Sequence, residues 1–347
     1  MDSTIHFPKP LRTGHAIGIT APSSGVVVES HLQRLELIEG QLRAAGYGVI
    51  EGKCLRADHQ HVSGTPQQRA ADFTALWNDP QVGAIIPPWG GELLIGMLPH
   101  LDFTSLAATP KWVMGYSDIS TLLLAITATT GIATAHGPGL MDLVRDQVAS
   151  VWETAFEMLG SEAGARFSQR SFERYQVDYI PYEAQMDAKF NLTEPVEWKR
   201  LGDQTPCRFS GRLIGGCLDT VVHLAGTPYG HVPAFLERHR QDGVIVFLEN
   251  CGLAPVEVVR SLWQLRLAGW FEGVRGLVLG RSAGPDVSGV GELGYREAVE
   301  SVVGDLSVPV LIDADIGHRP PQMVLVNGAL ARVEWSEGAA SVVQRFI

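Results

Sequence analysis

The 347-residue sequence has few cysteines and little positive charge, and both shortages exclude classes of protein. Its four cysteines form no C-x-x-C pair, so neither a zinc knuckle nor a dithiol redox site is indicated. Lysine and arginine number 27 against 38 aspartate and glutamate residues, a formal net charge of −11, and no basic run occurs. Nucleic acid binding needs a local excess of cations, so nucleic acid is not expected as a partner.

Long apolar segments are lacking as well. Residues 1–14 contain no continuous apolar stretch of the signal-peptide kind, and no segment approaches the roughly 18 apolar residues of a membrane span. The densest candidate, residues 122–135, is interrupted by four threonines. With 45% hydrophobic and 19% charged residues, the chain is expected to be an ordinary globular protein of the cytoplasm, with reduced cysteines and no membrane partner.

Apolar runs and amphipathic helices alternate along the first 160 residues. Strands are predicted in "HAIGITAPS", "YGVI", "VGAIIPPWGG" and "KWVMGYSD", and helices lie between them, with one from Asp146 to Gly160 closing the unit. Such alternation predicts an α/β domain with a doubly wound, mainly parallel sheet. Ligands of these sheets bind at the carboxyl ends of the strands. The turns that follow the first, third and fourth predicted strands would all lie at that edge.

The rest of the chain is predicted to have a different organisation. We expect the N-terminal α/β domain to occupy residues 1–165 and to carry the nucleophile. Residues 166–208, which are polar, aromatic and punctuated by prolines, are expected to form a linker and substrate-covering loop. Residues 209–347 are expected to form a smaller, β-rich, barrel-like domain. Within it, the "VNGA" turn between alternating apolar runs predicts a hairpin.

Ser117 lies where a buried strand turns into a helix that stops at Gly131. Such a turn would project the hydroxyl at the sheet edge and direct the free N–H groups of the helix toward developing negative charge. The local pattern is equally typical of an N-cap serine, with Asp118 complementing the helix dipole. Local context alone favours the cap.

A rival nucleophile is Ser282, because "GRSAG" matches the Gly-x-Ser-x-Gly turn of α/β-hydrolases and follows a strand. Asp313 or Asp315, followed by His318, would complete the order of serine, acid and histidine along the chain that α/β-hydrolases have. The hydrolase turn requires a helix immediately afterwards, however, and here Pro285 and a glycine-rich stretch follow. An esterase of this type is therefore the less favoured hypothesis.

Two residues at predicted strand ends could activate a serine. His318 follows a strand at a glycine-flanked turn, and Glu249 ends the apolar strand "VIVFLE". Carboxylates are rarely buried without a partner, so Glu249 could orient a base, although a solvated strand end explains it as well. His136 also lies near the sheet, where it fits a structural role. No H-E-x-x-H spacing occurs, which disfavours a metal hydrolase.

Several motifs occur in order along nearly the whole chain: "PPWGGE", "PKWVMGYSDIST", "AHGPG", "GRLIGGCLDT", "GTPYG", "FLEN" and "GH". Together they resemble the LD-carboxypeptidase and microcin C self-immunity family of serine peptidases. The resemblance implies an N-terminal α/β domain, a smaller β-rich C-terminal domain, a homodimer, and neither metal nor cofactor. It also implies Ser117 as nucleophile, His318 as base and Glu249 as its orienting acid.

The resemblance further implies an oxyanion hole made by the N–H groups of Gly91 and Asp118, with Gly90 allowing close approach of the substrate. The long segment before Glu249 and the "GGCLDT" motif favour the microcin-immunity branch, whose substrate is a peptidyl-nucleotide conjugate. Recycling of a murein tetrapeptide is the alternative.

Trp198 is the residue expected to stack on a planar group, unless it packs on the linker or at a dimer interface, and Arg319 is the candidate partner of a substrate carboxylate. A small-ligand binding protein without catalysis is the hypothesis of another class.

Overall fold

A computed structural model of the chain describes residues 4–145, 150–286, 289 and 291–347. The first residues of the helix predicted from Asp146 lie outside this part, and the helix is described from Val151 to Leu159. None of the described helices is long and apolar enough to cross a bilayer.

The strands of the described chain are numbered in chain order. They are β1 Ala16–Ile19, β2 Gly48–Glu51, β3 Val82–Ile85, β4 Trp112–Gly115, β5 Thr134–His136, β6 Arg166–Arg170, β7 Arg174–Tyr175, β8 Glu194–Pro195, β9 Lys199–Arg200, β10 Cys207–Cys217, β11 Val244–Glu249, β12 Gly276–Gly280, β13 Val310–Ala314, β14 Leu325–Asn327, β15 Leu330–Ser336 and β16 Ala339–Arg345.

The described α-helices are α1 Glu29–Ala44, α2 Pro66–Asn78, α3 Phe103–Ala108, α4 Ile119–Thr130, α5 Val151–Leu159, α6 Leu218–Val221, α7 Val232–Arg238, α8 Pro255–Leu267 and α9 Tyr295–Val303. Short 3-10 helices span Leu94–His100, Leu140–Asp142 and Val222–Leu224. Local sequence explains several boundaries. Thr65 and Gln68 form a capping box before α2, and Gly131 ends α4 at a φ of 74°.

Six strands form sheet A in the order β14-β5-β4-β3-β1-β2. The pairs among β1 to β5 are parallel, and β14 adds to β5 in the antiparallel sense. The order reverses between β1 and β3, and sheets of this kind bind ligands beside the carboxyl ends of the strands at such a point. The α/β fold predicted for the first half of the chain is confirmed.

Eight strands form sheet B in the order β6-β16-β15-β10-β11-β12-β13-β9. Its four central strands, β10 to β13, are parallel, and antiparallel strands flank them. A further short pair joins β7 to β8. The separate strand-rich sheet expected of the C-terminal half is thus present, and the carboxyl ends of its central strands lead to Glu249 and His318.

The hairpin predicted at "VNGA" is wrong, because β14 and β15 belong to different sheets. β14 pairs with β5 in sheet A, whereas β15 pairs with β10 and β16 in sheet B. At the turn between them, the Gly328 N–H donates to Leu213 O at 2.7 Å. The Asn327 side chain accepts from Gly215 N at 3.0 Å and donates to Thr134 Oγ1 at 3.3 Å. The turn therefore crosses between sheets, and the hairpin is formed by β15 and β16.

Strand membership bears on how the chain divides into domains. β6 and β9 come from the segment expected to be a linker and join sheet B, and β14 returns from the C-terminal half to sheet A. We retain the division at residues 1–165, 166–208 and 209–347 as a proposal about the order of the units along the chain. The two sheets each have a face in a buried apolar cluster.

Candidate active site

Ser117 occupies a strained position between β4 and α4. Its φ is 59°, in the left-handed region that residues other than glycine rarely adopt. The N-cap of α4 is Asp118, so the serine lies one residue outside the helix and is not its cap. Strain of this kind persists where the surroundings hold it, and it is concentrated at functional sites.

The Asp118 carboxylate holds the surroundings of Ser117 in place. It is 2% exposed and accepts hydrogen bonds from Ser23 Oγ at 2.6 Å and from Leu94 N at 2.9 Å. These two contacts join the loop after β1, the 3-10 helix after β3 and the start of α4. The carboxylate therefore has a structural role, which leaves the backbone N–H of Asp118 as the group relevant to chemistry.

Gly90 and Gly91 approach the serine turn closely. A Cβ atom on Gly90 would lie 2.7 Å from Ser117 Cβ and 2.8 Å from Asp118 N, which real Cβ atoms do not do. Gly91 has a φ of 143°, and a Cβ there would lie 2.4 Å from Ser23 Oγ. Glycine is required at both positions because of close packing, and at Gly91 also because of the backbone conformation.

Glu249 and His318 form a buried hydrogen-bonded pair at the ends of β11 and β13. His318 Nδ1 lies 2.9 Å from Glu249 Oε2, and Glu249 is 1% exposed. The acids of the rival hypothesis lie elsewhere: Asp313 pairs with Lys199 at 2.9 Å and Asp315 with Arg281 at 2.6 Å. The carboxylate that contacts His318 is thus Glu249.

The pair perturbs the protonation of both partners. Burial alone would lower the pKa of His318, but the Glu249 carboxylate and the neighbouring Cys251 thiol outweigh it, so this pKa lies well above the usual 6.5. Burial would raise the pKa of Glu249, but the charge and the hydrogen bond of His318 lower it. Glu249 is accordingly ionised at neutral pH and can stabilise a protonated imidazole.

A cavity of about 380 Å³ brings the two sheets' contributions together. Ser117, Asp118 and Gly91 line it from sheet A, and Cys217 and Cys251 line it from sheet B. The His318 ring lies 4.8 Å, centroid to centroid, from the ring of Tyr116, the residue before the serine. Residues of the Ser117 turn and of the ends of β10 and β11 therefore line one cavity, and the His318 ring packs against Tyr116, next to Ser117.

His136 is not one of the three predicted catalytic residues, although it lies close enough to Glu249 for the charges of the two side chains to influence each other. It is fully buried, which lowers its pKa to about 4, and its Nδ1 lies 3.3 Å from Ser120 Oγ. The Ser120 hydroxyl also accepts from Cys217 N at 3.0 Å, so this chain of contacts ties α4 to β10 across the two sheets. The structural role considered for His136 fits its position.

Trp198 is a buried residue of the segment expected to be a linker. Its indole is 1% exposed, lies in the apolar cluster of sheet B and donates from Nε1 to Asp315 Oδ2 at 2.8 Å. No face is free for a ligand. Of the roles considered for Trp198, this position favours packing on the linker, because burying a large ring beside a carboxylate satisfies both its apolar surface and its N–H.

Arg319 and Ser282 lie in a second cavity of about 410 Å³. Arg319 donates from Nε to Ser282 O at 2.8 Å and from Nη1 to Val177 O at 3.1 Å, so its guanidinium is held by backbone carbonyls of residues lining this second cavity. Ser282 Oγ accepts from Asn250 Nδ2 at 2.9 Å, and residues 281–286 are not helical. Among the described residues, the helix that the hydrolase turn requires is missing at Ser282, and the role of Arg319 toward a substrate carboxylate stays a prediction.

Three residues that sequence reasoning did not single out belong to the site. Tyr116 contacts His318, Cys217 lines the cavity, and Asp219 accepts from Cys251 N at 2.9 Å and so fixes the turn after β11. Cys217 lies in the "GGCLDT" motif, but only its place beside Glu249 at the sheet end draws attention to it. The two are register partners in β10 and β11.

Two family models match the chain. The model described as the LD-carboxypeptidase N-terminal domain matches residues 17–137, and the LD-carboxypeptidase C-terminal domain matches residues 210–333. The first match contains Ser117, and the second contains Glu249 and His318.

Individual relatives are similar over most of their length. The murein tetrapeptide carboxypeptidase of Pseudomonas aeruginosa is 30% identical over 251 residues, which cover 72% of this chain and 70% of the relative. The microcin C7 self-immunity protein MccF of Escherichia coli is 26% identical over 347 residues, covering 97% and 96%. The structure of MccF in complex with aspartyl sulfamoyl adenosine matches with a TM-score of 0.82 at 24% identity and covers 98% of this chain and 99% of that one, a similarity of fold.

Proposed function

The chain belongs to the LD-carboxypeptidase family of serine peptidases, and from this premise we propose that Ser117, His318 and Glu249 form its catalytic triad. The observation that carries the proposal is the buried His318–Glu249 pair, 2.9 Å apart, beside the strained serine turn. An isolated serine hydroxyl is a weak nucleophile, and a base oriented by a carboxylate is what activates it.

In the proposed reaction, Ser117 Oγ attacks the carbonyl carbon of an amide while His318 removes the hydroxyl proton. The imidazolium that forms is stabilised by ionised Glu249. As the tetrahedral intermediate collapses, His318 gives the proton to the leaving amine and an acyl-serine ester remains. Water, deprotonated by His318, then attacks the ester and restores the Ser117 hydroxyl.

The negative oxygen of the intermediate is proposed to bind the backbone N–H groups of Gly91 and Asp118. Both residues line the cavity with Ser117, and Gly90 packs directly against Asp118 N. Backbone donors fixed in this way cost no reorganisation during the reaction, and loss of one donor of this kind costs about a hundredfold or more in kcat.

For the substrate, we propose a small peptide or peptide conjugate, with a peptidyl-nucleotide favoured. The support is the similarity to MccF over nearly the whole of both chains. A murein tetrapeptide is the second candidate, because the relative at 30% identity carries that activity in its name. The described residues lining the cavity include no lysine or arginine, so a substrate carboxylate would be recognised from outside this lining.

The triad is tested with a fluorophosphonate probe and peptide mapping. We expect label on Ser117, and loss of labelling and of turnover by several orders of magnitude in Ser117→Ala, with unchanged thermal unfolding. Label on Ser282 or Cys251 would contradict the assignment. A binding protein without catalysis predicts no label and unchanged ligand affinity in Ser117→Ala.

The substrate is tested by comparing kcat/KM for a peptidyl-sulfamoyl-nucleoside with that for a murein tetrapeptide ending in D-alanine. We expect the nucleoside conjugate to be cleaved faster. Faster cleavage of the tetrapeptide would overturn the substrate proposal and leave the triad standing, because both substrates require the same three side chains.

We also propose that the enzyme is a homodimer, as the family resemblance implies. Helix α8 supports this, because Val256, Trp263 and Leu267 on it are 54%, 40% and 80% exposed. Sedimentation equilibrium measures the assembly directly. A monomer at micromolar concentration would refute the proposal, and Leu267→Glu tests whether α8 is the face involved.

A further inference from the structure

A second type of chemistry is placed at the same end of sheet B. One donor atom each from Cys217, Glu249 and His318 lies within 4.8 Å of the others. Cys217 and Glu249 are direct neighbours in the parallel register of β10 and β11, so the end of the sheet sets their separation. A thiolate, a carboxylate and an imidazole are together a ligand set typical of zinc.

The triad accounts for one oxygen of Glu249 and leaves the other unused. Oε2 is bonded to His318, whereas Oε1 is buried and meets no oxygen or nitrogen donor among the described residues, so the weakly donating Cys217 thiol is the group beside the carboxylate. A buried carboxylate oxygen without a donor is unfavourable, and a cation is one way to satisfy it. The Cys217 side chain, in a residue 1% exposed, is the adjacent group.

The cavity gives a metal ion access to these three residues, and Cys251 offers a fourth ligand. Cys217 and Cys251 both line the 380 Å³ cavity, and the Cys251 thiol contacts the His318 ring. Atoms bound to one tetrahedral zinc ion at about 2.0–2.3 Å lie about 3.3–3.8 Å apart, so the cluster needs a contraction of about 1 Å. Side-chain rotation can provide this.

We propose that Cys217, Glu249 and His318, with Cys251 as a fourth ligand or with water in its place, bind Zn²⁺ and that the ion reversibly inhibits the enzyme. On binding, the Cys217 thiol and the protonated His318 ring each release a proton to solvent, and the neutral ring then donates a nitrogen lone pair to the ion. One carboxylate and one thiolate balance the charge of the ion. The binding part of the inference is independent of the proposed hydrolysis, whereas the inhibition part rests on it because His318 could no longer accept a proton from Ser117.

Binding is tested with Co²⁺ as a spectroscopic probe on the full-length Ser117→Ala chain, stripped of metal by a chelator. We expect one Co²⁺ per chain, a thiolate-to-cobalt charge-transfer absorption, and displacement by Zn²⁺. Adding Cys217→Ser should abolish that absorption and weaken Zn²⁺ binding by about tenfold or more. Cys54→Ser is the matched control, because Cys54 is also buried, at 6% exposure, but lies among residues of α2 and the loop after β2. It should change neither measurement.

Two outcomes would overturn the site: unchanged Co²⁺ absorption and affinity in Cys217→Ser, or loss of both in Cys54→Ser. If Cys217→Ser does not fold, alkylation of the unmodified chain decides instead. Zn²⁺ should protect Cys217 from iodoacetamide, and equal alkylation with and without Zn²⁺ would refute the inference.

Inhibition is tested separately, through recovery of hydrolysis when a chelator is added. A chain that binds Zn²⁺ at Cys217 but hydrolyses neither substrate would refute the proposed function and leave the metal site intact.

Discussion

At Ser117, one backbone angle and one pair of side chains beside the adjoining Tyr116 favour the proposed nucleophile over an ordinary turn serine. The φ of 59° places the residue outside α4, and packing of Gly90 against it permits that conformation. His318 and Glu249 then provide a base whose charged form the site stabilises. The predictions at this scale concern the charge of that pair and the space around the serine.

The pH dependence of hydrolysis should reflect the raised pKa of His318. The imidazole must be neutral to accept the Ser117 proton, so kcat/KM should increase with pH and level off above the usual histidine range. In Glu249→Gln the carboxylate charge is lost and burial dominates, so the pKa of His318 should fall. The rate should drop by about ten-thousandfold, as for comparable triads. Rate profiles and NMR titration of the His318 ring provide the measurements.

The matched control for this prediction is Glu92→Gln, because Glu92 lines the cavity but is exposed. It should leave the pKa of His318 in place. A His318 pKa that stays raised in Glu249→Gln would show that the carboxylate is not its cause.

Gly90→Ala should impair catalysis through displacement of the serine turn. The new Cβ would lie 2.7 Å from Ser117 Cβ, and a shift of about 1 Å in a reacting group costs about a hundredfold in rate. Gly96→Ala is the control, since its Cβ would meet Pro66 Cγ at an ordinary 3.7 Å. Steady-state kcat/KM measures both, and equal rates for the two variants would contradict the packing argument.

At the scale of elements, the segment between β8 and β9 is attached to sheet B by Trp198. Trp198→Phe keeps most of the buried ring but removes the N–H bond to the Asp315 carboxylate. We expect the free energy of unfolding to fall by about 1.5–3 kcal/mol. Because the indole lies outside the cavity, kcat/KM should be unchanged.

Urea unfolding followed by circular dichroism measures this change in stability. Trp263→Phe is the control, because Trp263 is 40% exposed and should change stability by no more than about 0.5 kcal/mol. A Trp198→Phe enzyme with normal stability and a selective loss of activity on the nucleoside conjugate would restore the stacking hypothesis.

Elements with local causes were predictable from sequence. Strands β1 to β4 and helices α1, α2 and α4 follow from apolar runs, capping residues and glycine stops. The hairpin wrongly predicted at Asn327–Gly328 failed because the pairing there depends on a strand far away in the sequence. The dipeptide suits a tight hairpin, but β14 pairs with β5, formed almost 200 residues earlier, and no local pattern records such a partner.

The site shows the same division. Ser117, Glu249 and His318 each follow or end a predicted strand, and the order of the motifs along the sequence is enough to assign them to one predicted site. The choice between stacking and packing for Trp198 could not be made from the sequence in this way. Its charged and proline neighbours suggest exposure, and Asp315, which holds the indole inside, lies 117 positions away. Cys217 became significant only through its register with Glu249.

At the scale of the whole molecule, the proposed active site lies where two sheets meet. Asn327 is central to that junction because its side chain accepts from Gly215 N in sheet B and donates to Thr134 in sheet A. In Asn327→Ala the buried Gly215 N–H would lose its acceptor, which costs about 1–3 kcal/mol. Calorimetric unfolding should show the loss, and the exposed Asn78→Ala should not. Equal unfolding temperatures would mean that apolar packing alone holds the sheets together.

The return of β14 to sheet A has a consequence for the protein during its synthesis. The edge of β5 has no strand beside it until residues 325–327 leave the ribosome, and His318 emerges only just before them. At about 5–20 residues per second, Ser117 is exposed to the cell for roughly 10–40 s before its base is made. A nascent chain would therefore carry the proposed nucleophile without its base, and a truncated product of an interrupted message should be inert rather than an unregulated peptidase.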